Sequence, residues 1–272
     1  MMDPFVHVHK GTVLQESLPG LSDTLVVLTP TDLQKKLLER ISENVFEKVH
    51  LVSLISAHPS QVAEREVFSD HKSMLEELKM SPETGVKTQF VFELFRLSKA
   101  RDERVLIFSE YNDPLNFLMK QLVSHFSWEG AKQVFEAKVL LASTKACCEG
   151  INLVRASRVV LLDVSWNPSV ERQAISHPYR LGQKKFCYVY HLIMSGTMEI
   201  EKYHRQTKKD RLSELVFSSL DGHKYDTFEI SNDKILEAMV NHKKLNSIFE
   251  KVLHQLKESN VFENFSFVSL GN

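Results

Sequence analysis

Three short runs of apolar residues constrain the fold of this chain more than any other feature of its sequence. They are Val105–Ser109, Val139–Ser143 and Val159–Asp163, each aliphatic or β-branched until a polar residue ends it. Unbroken apolar runs of this length are typical of strands that are buried on both faces of a parallel sheet. Helical patterns separate or follow the runs. The sequence therefore predicts an α/β fold, with a parallel sheet flanked by helices.

The remaining periodic segments are mostly helical. A start signal at Thr29–Asp32 opens a predicted helix that reaches Val49, and a strand is predicted from Phe186 to Met194. The other predicted helices are Lys87–Lys99, Leu115–Phe126, one that begins at Pro168, Thr197–Phe217 and a long one over Asn232–Leu256. We accordingly divide the chain into a helical connector (1–100), an α/β lobe (101–220) and a helical C-terminal tail (221–272).

Composition excludes several classes of protein. Hydrophobic residues make up 43% of the chain, which supports a sizeable core, and a net charge of -1 gives no overall attraction to nucleic acid. The three cysteines are too few for a disulfide framework and lack metal-binding spacing, so reduced thiols and no metal site are expected. No apolar run approaches the roughly 20 residues of a membrane span, and no signal peptide is recognisable, so we expect no membrane partner.

Three sequence blocks carry a more specific signal because of their order. The first is Val105–Glu110, the second is Ser143–Leu153 with the sequence Ser-Thr-Lys-Ala-Cys-Cys-Glu-Gly-Ile-Asn-Leu, and the third runs from Asp163 to Gln183. Together they resemble the motifs of the second RecA-like lobe in Snf2-family helicase-like ATPases. The resemblance implies an incomplete second helicase lobe with a RecA-like sheet.

The resemblance also implies a nucleotide-facing set of residues. Arg180 is the candidate arginine finger, because an arginine from a second lobe can stabilise charge on a transferred phosphate. Gln173 would sense the nucleotide or the facing lobe, and Gly150 and Asn152 belong to the turn that follows the second block. The alternative for Arg180 is an ordinary surface arginine, and Asn167 with Pro168 is interpreted as a helix cap and its first-turn proline.

A second set of residues is assigned to nucleic acid. Ser143 and Thr144 stand at the carboxyl end of a predicted strand, where they could hydrogen-bond a nucleic-acid backbone, and Lys145 adds a positive charge. The cluster Lys208, Lys209 and Arg211 could also bind phosphates. Its alternative is a solvated face of a helix.

Several further segments resemble the plant CLASSY subfamily of Snf2-like proteins. They include Pro4–Val8, Gly11–Gln15, Leu140–Gly150, Ala156–Val164 and Lys209–Phe217. This resemblance implies a nuclear protein that acts in RNA-directed DNA methylation, with DNA or chromatin and the RNA polymerase IV complex as partners.

The chain departs from the family pattern in three ways. It lacks the phosphate-binding Gly-x-x-x-x-Gly-Lys-[Ser/Thr] loop and the acidic Mg²⁺ motif, so ATP and Mg²⁺ are expected only if a first lobe is supplied, and no cofactor for the isolated chain. His177 replaces an arginine and precedes Pro178, which should end the helix near Ser176 and keep His177 out of it. The short Pro114–Lys138 connection has no room for a strand–helix unit of the family, which should expose a sheet edge.

Two functions remain open at this point. One is an interaction and targeting module in chromatin silencing that has residual ATP or DNA contacts. The other is the second lobe of a DNA-dependent remodelling ATPase whose first lobe is separate from this chain.

Overall fold

A computed structural model describes residues 18–41, 45–126, 138–144, 153–218 and 233–255, with no side-chain description for 45–47, 209–218 and 255. The described residues form a six-stranded sheet in the order β3-β2-β4-β5-β1-β6. The strands are β1 (Leu21–Leu28), β2 (Val105–Ser109), β3 (Val139–Ser143), β4 (Arg158–Leu161), β5 (Cys187–Met194) and β6 (Phe249–Gln255). The predicted α/β class with a mostly parallel sheet is confirmed.

Eight α-helices surround this sheet in the described part of the chain. They are α1 (Asp32–Glu39), α2 (Val45–Ala57), α3 (Lys72–Glu77), α4 (Val86–Ala100), α5 (Asn112–Phe126), α6 (Pro168–Ser176), α7 (Met198–Ser218) and α8 (Lys234–Val240). None of the described helices is long and apolar enough to cross a membrane.

The register of the sheet follows the apolar runs. β2 pairs in parallel with both β3 and β4, β4 pairs in parallel with β5, and β5 pairs in parallel with β1. β6 alone runs antiparallel, along the other side of β1. Because parallel strands point the same way, the carboxyl ends of β2, β3 and β4 meet at one edge of the sheet.

Two layers of helices cover the sheet. On one face, α4, α5 and α8 bury apolar side chains such as Phe90, Leu118 and Met239 against Ile107 and Val160. On the other face, Ala174 of α6 and Tyr203 of α7 pack on separate groups of strand residues. Burying both faces explains why the strand runs are apolar throughout rather than alternating.

The N-terminal helices form a smaller core of their own. Leu37 of α1 packs with Leu54 and Ile55 of α2 and with Phe68 beyond it. The predicted single helix from Thr29 to Val49 is wrong, because α1 ends at Glu39 and α2 begins only at Val45. Its start was correctly placed: Thr31 caps α1 in a capping box, in which its hydroxyl accepts from the Gln34 N–H.

The predicted helical C-terminal tail requires correction. Within Asn232–Leu256, α8 is short and is followed by the strand β6. The apolar positions Val252 and Leu253 fit a helix locally, but pairing with β1 satisfies the backbone of both strands and decides the outcome. The sheet consequently draws strands from all three segments into which the sequence was divided.

The expected exposed edge lies at β3. Among the described residues β3 pairs only with β2, and Leu140 is 44% exposed on it. Every residue of the neighbouring strand β2 is buried. The short connection between β2 and β3 thus leaves the outermost strand of this side thinly covered, as the sequence predicts.

Candidate nucleic-acid and nucleotide interface

A buried carboxylate joins the ends of β2 and β4. Asp163, which follows β4, accepts a hydrogen bond from the Ser109 hydroxyl at 2.5 Å and another from the Glu110 N–H at 2.8 Å. The same Ser109 oxygen accepts from the Tyr111 N–H at 3.1 Å. One side chain from β4 therefore fixes three consecutive residues at the end of β2.

The end of β3 is attached to this cluster through Ser109. The Thr144 N–H donates to the Ser109 carbonyl oxygen at 3.0 Å, and the Thr144 hydroxyl lies 3.4 Å from the same oxygen. Ser143 stands opposite Ser109 in the strand register and is half-buried, whereas Thr144 is buried. The structure thus brings both predicted nucleic-acid residues to the carboxyl edge of the sheet, beside Asp163.

Burial changes the acidity of Asp163. Removal from water raises the pKa of its carboxyl to about 6, although the hydrogen bonds from Ser109 and Glu110 and the charge of Lys87 oppose the rise. Burial and the nearby carboxylates likewise raise the pKa of Tyr111 to about 12. A carboxyl in this setting changes its charge close to neutral pH rather than in strong acid.

A buried lysine connects α4 to the same edge. Lys87 donates to the Leu162 carbonyl oxygen at 2.6 Å and to a carboxylate oxygen of Glu199 at 2.7 Å. The other oxygen of Glu199 accepts from the Met194 N–H at 2.9 Å. Because charge pairing compensates the burial of both groups, this ion pair fixes α7 against the ends of β4 and β5.

A tryptophan and a lysine lie next to the Asp163 cluster. The Lys202 ammonium sits 5.0 Å from the centre of the Trp166 ring and 3.6 Å from a carboxylate oxygen of Glu110. Lys202 is only 5% exposed, whereas Trp166 is 41% exposed. The aromatic face is therefore presented to solvent with a cation held against it.

Helix α2 lies over this edge of the sheet. A small cavity is lined there by Val52 and Ser53 of α2 together with Tyr111, Asp163 and Lys202. The rings of His50 and Tyr111 are 4.9 Å apart, and His50 approaches Asp113 to 3.7 Å. The connector is thus in direct contact with the strand ends that carry the candidate site.

The interpretation of Asn167 and Pro168 as a cap and first-turn proline agrees with the structure. The Asn167 side chain accepts from the Ser169 N–H at 3.1 Å, and Pro168 is the first residue of α6. Further along, the Ser165 N–H donates to Glu171 at 2.7 Å. The loop that carries Trp166 is therefore held from both sides.

The end of α6 matches one prediction and contradicts another. The helix ends at Ser176 as predicted, but His177 has φ −69° and ψ −47°, which is helical. The penalty from Pro178 is offset by hydrogen bonds on both sides of it, since Tyr179 N–H donates to Ile175 and His177 accepts from the Leu153 N–H. The backbone turn continues for a residue beyond the assigned helix.

The nucleotide-facing candidates are on the surface. Gln173 is exposed on α6, and Arg180 is exposed in the turn beyond it, where only its carbonyl oxygen bonds, to the Gln183 N–H. Lys208 is exposed on α7, and Lys209 and Arg211 belong to the same helix without described side chains. Lys145, Gly150 and Asn152 lie outside the described residues. These assignments stay predictions.

A buried charge cluster that the sequence patterns do not predict lies between β5, β1 and α6. His191 approaches Asp23 to 2.8 Å and Glu171 to 3.5 Å, and all three side chains are buried. Burial by itself would lower the pKa of His191, but the two carboxylates raise it to about 10. A histidine in an apolar strand gives only a weak sequence signal of such a pair.

A second unpredicted cluster lies at the opposite end of β4. Arg158 donates to Asp233 at 2.9 Å and also bonds Glu103 and the Tyr190 hydroxyl, with 2% of its side chain exposed. Asp233 in turn caps α8 by accepting from the Ile235 N–H at 3.1 Å. This cluster fastens the C-terminal segment to the sheet and is far from the candidate site.

Comparison with known proteins identifies the lobe. A model of the helicase conserved C-terminal domain matches residues 86–182. The chain is 45% identical over 310 residues to SNF2 domain-containing protein CLASSY 3 of Arabidopsis thaliana, which covers 98% of this chain and 22% of that protein. For CLASSY 4 of the same plant the identity is 43% over 300 residues, with 97% and 26% covered.

These alignments are longer than the chain of 272 residues. The two relatives therefore contain residues without a counterpart here, which agrees with the short connection between β2 and β3. The chain spans about a quarter of their length or less. Among solved structures, the C-terminal part of the Fun30 ATPase domain superimposes with a TM-score of 0.50 at 18% identity and covers 76% of this chain and 100% of that one.

Proposed function

Because the chain is a C-terminal, RecA-like lobe of the Snf2 type, similar to CLASSY proteins over nearly its whole length, we propose that it acts mainly as an interaction and targeting module in chromatin silencing. Its contacts with ATP or DNA would be residual. The proposal places the chain in the nucleus and in RNA-directed DNA methylation, with the RNA polymerase IV complex as its protein partner.

The exposure of Arg180 is the observation that carries this proposal. A finger acts by holding its guanidinium against the transferred phosphate, which requires that the side chain be positioned beforehand. Among the described residues, no side-chain bond orients Arg180, and Gln173 is likewise exposed. The chain also has no phosphate-binding loop in its sequence. By contrast, the cluster around Asp163 is fully bonded, so the fold is maintained where catalysis is not.

A specific observation favours the second candidate function, the second lobe of a remodelling ATPase. The strand ends, the Trp166 loop and the cap of α6 keep the arrangement of a helicase C-terminal lobe. A first lobe that faces this edge could then order Arg180 on binding. In that case ATP and Mg²⁺ would be required at the junction.

A paired experiment separates the two functions. Affinity capture from plant nuclear extract with the tagged chain is assayed for RNA polymerase IV subunits, and the same preparation is assayed for DNA-stimulated ATP hydrolysis. We expect capture of polymerase subunits and no turnover. Turnover that is lost in Arg180→Ala but kept in the control Arg172→Ala, an exposed arginine of α6, would contradict the targeting proposal and support the motor.

A further inference from the structure

The carboxyl edge of the sheet contains a continuous series of hydrogen bonds, which we call the strand-end relay, formed by Asp163, Ser109 and Thr144. Asp163 accepts from the Ser109 hydroxyl, and the Ser109 carbonyl oxygen accepts from the Thr144 N–H. All three side chains are buried. The relay therefore transmits the position of β4 to β2 and from β2 to the outermost strand β3.

We propose that Asp163 is a positioning residue for nucleic-acid binding, because through Ser109 it fixes the main chain at Ser143 and Thr144, where a phosphate backbone would be contacted. This inference rests on the DNA contacts included in the proposed function. Phosphate groups are bound by hydroxyl and main-chain N–H donors, and such donors bind best when their directions are fixed in advance.

The position of Thr144 explains why fixing is needed. β3 is the edge strand, so among the described residues its main chain is held by β2 alone. Its last pairing is between Ser109 and Ser143, and the Thr144 bond to Ser109 extends that pairing by one residue. Without a fixed Ser109, this strand end would lose its final point of attachment.

A carboxylate suits this role better than an amide of the same shape. Asp163 accepts two hydrogen bonds, one from each direction, so the Ser109 hydroxyl donates to it and keeps its oxygen for the Tyr111 N–H. In Asp163→Asn, one of the two positions becomes an N–H₂ donor. The Ser109 hydroxyl must then turn away, although the volume of the side chain is almost unchanged.

The charged groups around Asp163 come from four elements. Lys87 belongs to α4, Glu110 and Tyr111 follow β2, Glu199 and Lys202 belong to α7, and His50 of α2 contacts Tyr111. Asp163 itself has a pKa raised to about 6 by burial. Its protonation reverses the Ser109 hydrogen bond, so we expect duplex binding by the unmodified chain to weaken as the pH falls through about 6.

The test compares Asp163→Asn with Asp233→Asn, a buried carboxylate at the opposite end of β4, in the complete chain. The first readout is hydrogen exchange of the Thr144 amide without nucleic acid. The second is the affinity for a fluorescently labelled DNA duplex between pH 5 and pH 8 at constant salt. For Asp163→Asn we expect faster exchange at Thr144 by roughly tenfold, as for one lost hydrogen bond, and weaker binding that no longer changes near pH 6.

The outcomes are distinct. Unchanged Thr144 exchange and unchanged duplex affinity in Asp163→Asn would overturn the proposal, and so would equal losses in Asp163→Asn and Asp233→Asn. If the unmodified chain binds no duplex while Asp163→Asn still releases Thr144, the relay stands and the DNA contact in the proposed function fails. Should Asp163→Asn not fold, Ser109→Ala removes the hydroxyl without altering charge, and it must release Thr144 for the proposal to survive.

Discussion

His191 in β5 places its Nε2 atom 2.8 Å from Oδ1 of Asp23 in β1, inside the sheet. The two strands that pair here come from distant parts of the sequence, since Leu21 stands opposite Cys187. The ion pair adds a charge-dependent contribution to a junction that is otherwise apolar. That contribution depends on the histidine remaining protonated.

Stability should therefore fall as the pH rises from about 6.5. The pKa of His191 is raised to about 10 from its ordinary 6.5, so its contribution is fully present below about 6.5 and is lost as the pH rises through 10. For a single proton the slope is at most about 1.4 kcal/mol per pH unit. Urea denaturation between pH 6.5 and pH 9 measures it. His191→Gln should abolish the slope, whereas His204→Gln on the exposed face of α7 should keep it.

Arg158→Met should destabilise the chain by roughly 3–5 kcal/mol, because it leaves the buried carboxylate of Asp233 without its partner. The double variant Arg158→Met with Asp233→Asn should recover part of this loss. Arg96→Met is the matched control, since Arg96 forms an exposed ion pair with Glu93 that is worth no more than about 1 kcal/mol. Equal losses from the two single variants in urea denaturation would contradict this account.

Asn167→Ala should cost about 1 kcal/mol of unfolding free energy, because the Ser169 N–H at the start of α6 loses its acceptor. Asn167→Asp keeps an oxygen in the same place and should cost almost nothing. Thermal denaturation of the three proteins side by side checks the order of stabilities. If the aspartate variant were the least stable, the cap would not be the reason.

Leu140→Glu should reduce self-association without unfolding the chain. Edge strands with exposed apolar side chains pair with other chains, and a charge on such a strand opposes this pairing. Leu140 is 44% exposed on the edge strand, and Leu181, which is 56% exposed in the turn after α6, is the control. Light scattering against protein concentration should show less association for Leu140→Glu only. An equal effect of Leu181→Glu would indicate general solubility rather than the edge.

The interior strands could be predicted from the sequence because their signal is local. Each of β2, β3 and β4 is an unbroken apolar run, and the Asn167-Pro168 pair marks the start of α6 within a few residues. Burial on both faces leaves little alternative for such runs. The terminal strands are different, since β6 has mixed residues and becomes a strand only by pairing with β1.

The candidate site shows the same limit. Ser143, Thr144 and Asp163 stand at strand ends, so parallel order alone predicts that they meet. Lys87 and Glu199 are separated by 112 positions, and no local pattern links them. Their contact depends on how α4 and α7 pack over the sheet, which the sequence periodicity does not specify.

The order of the strands has a consequence for synthesis on the ribosome. β1 is made first, yet its two neighbours in the sheet are β5 and β6, the last strands to be made. A nascent chain therefore carries an unpaired, apolar β1 until residue 255 has left the exit tunnel. The interval between the first and last strands is a period of exposure in which a chaperone would be the natural neighbour of β1.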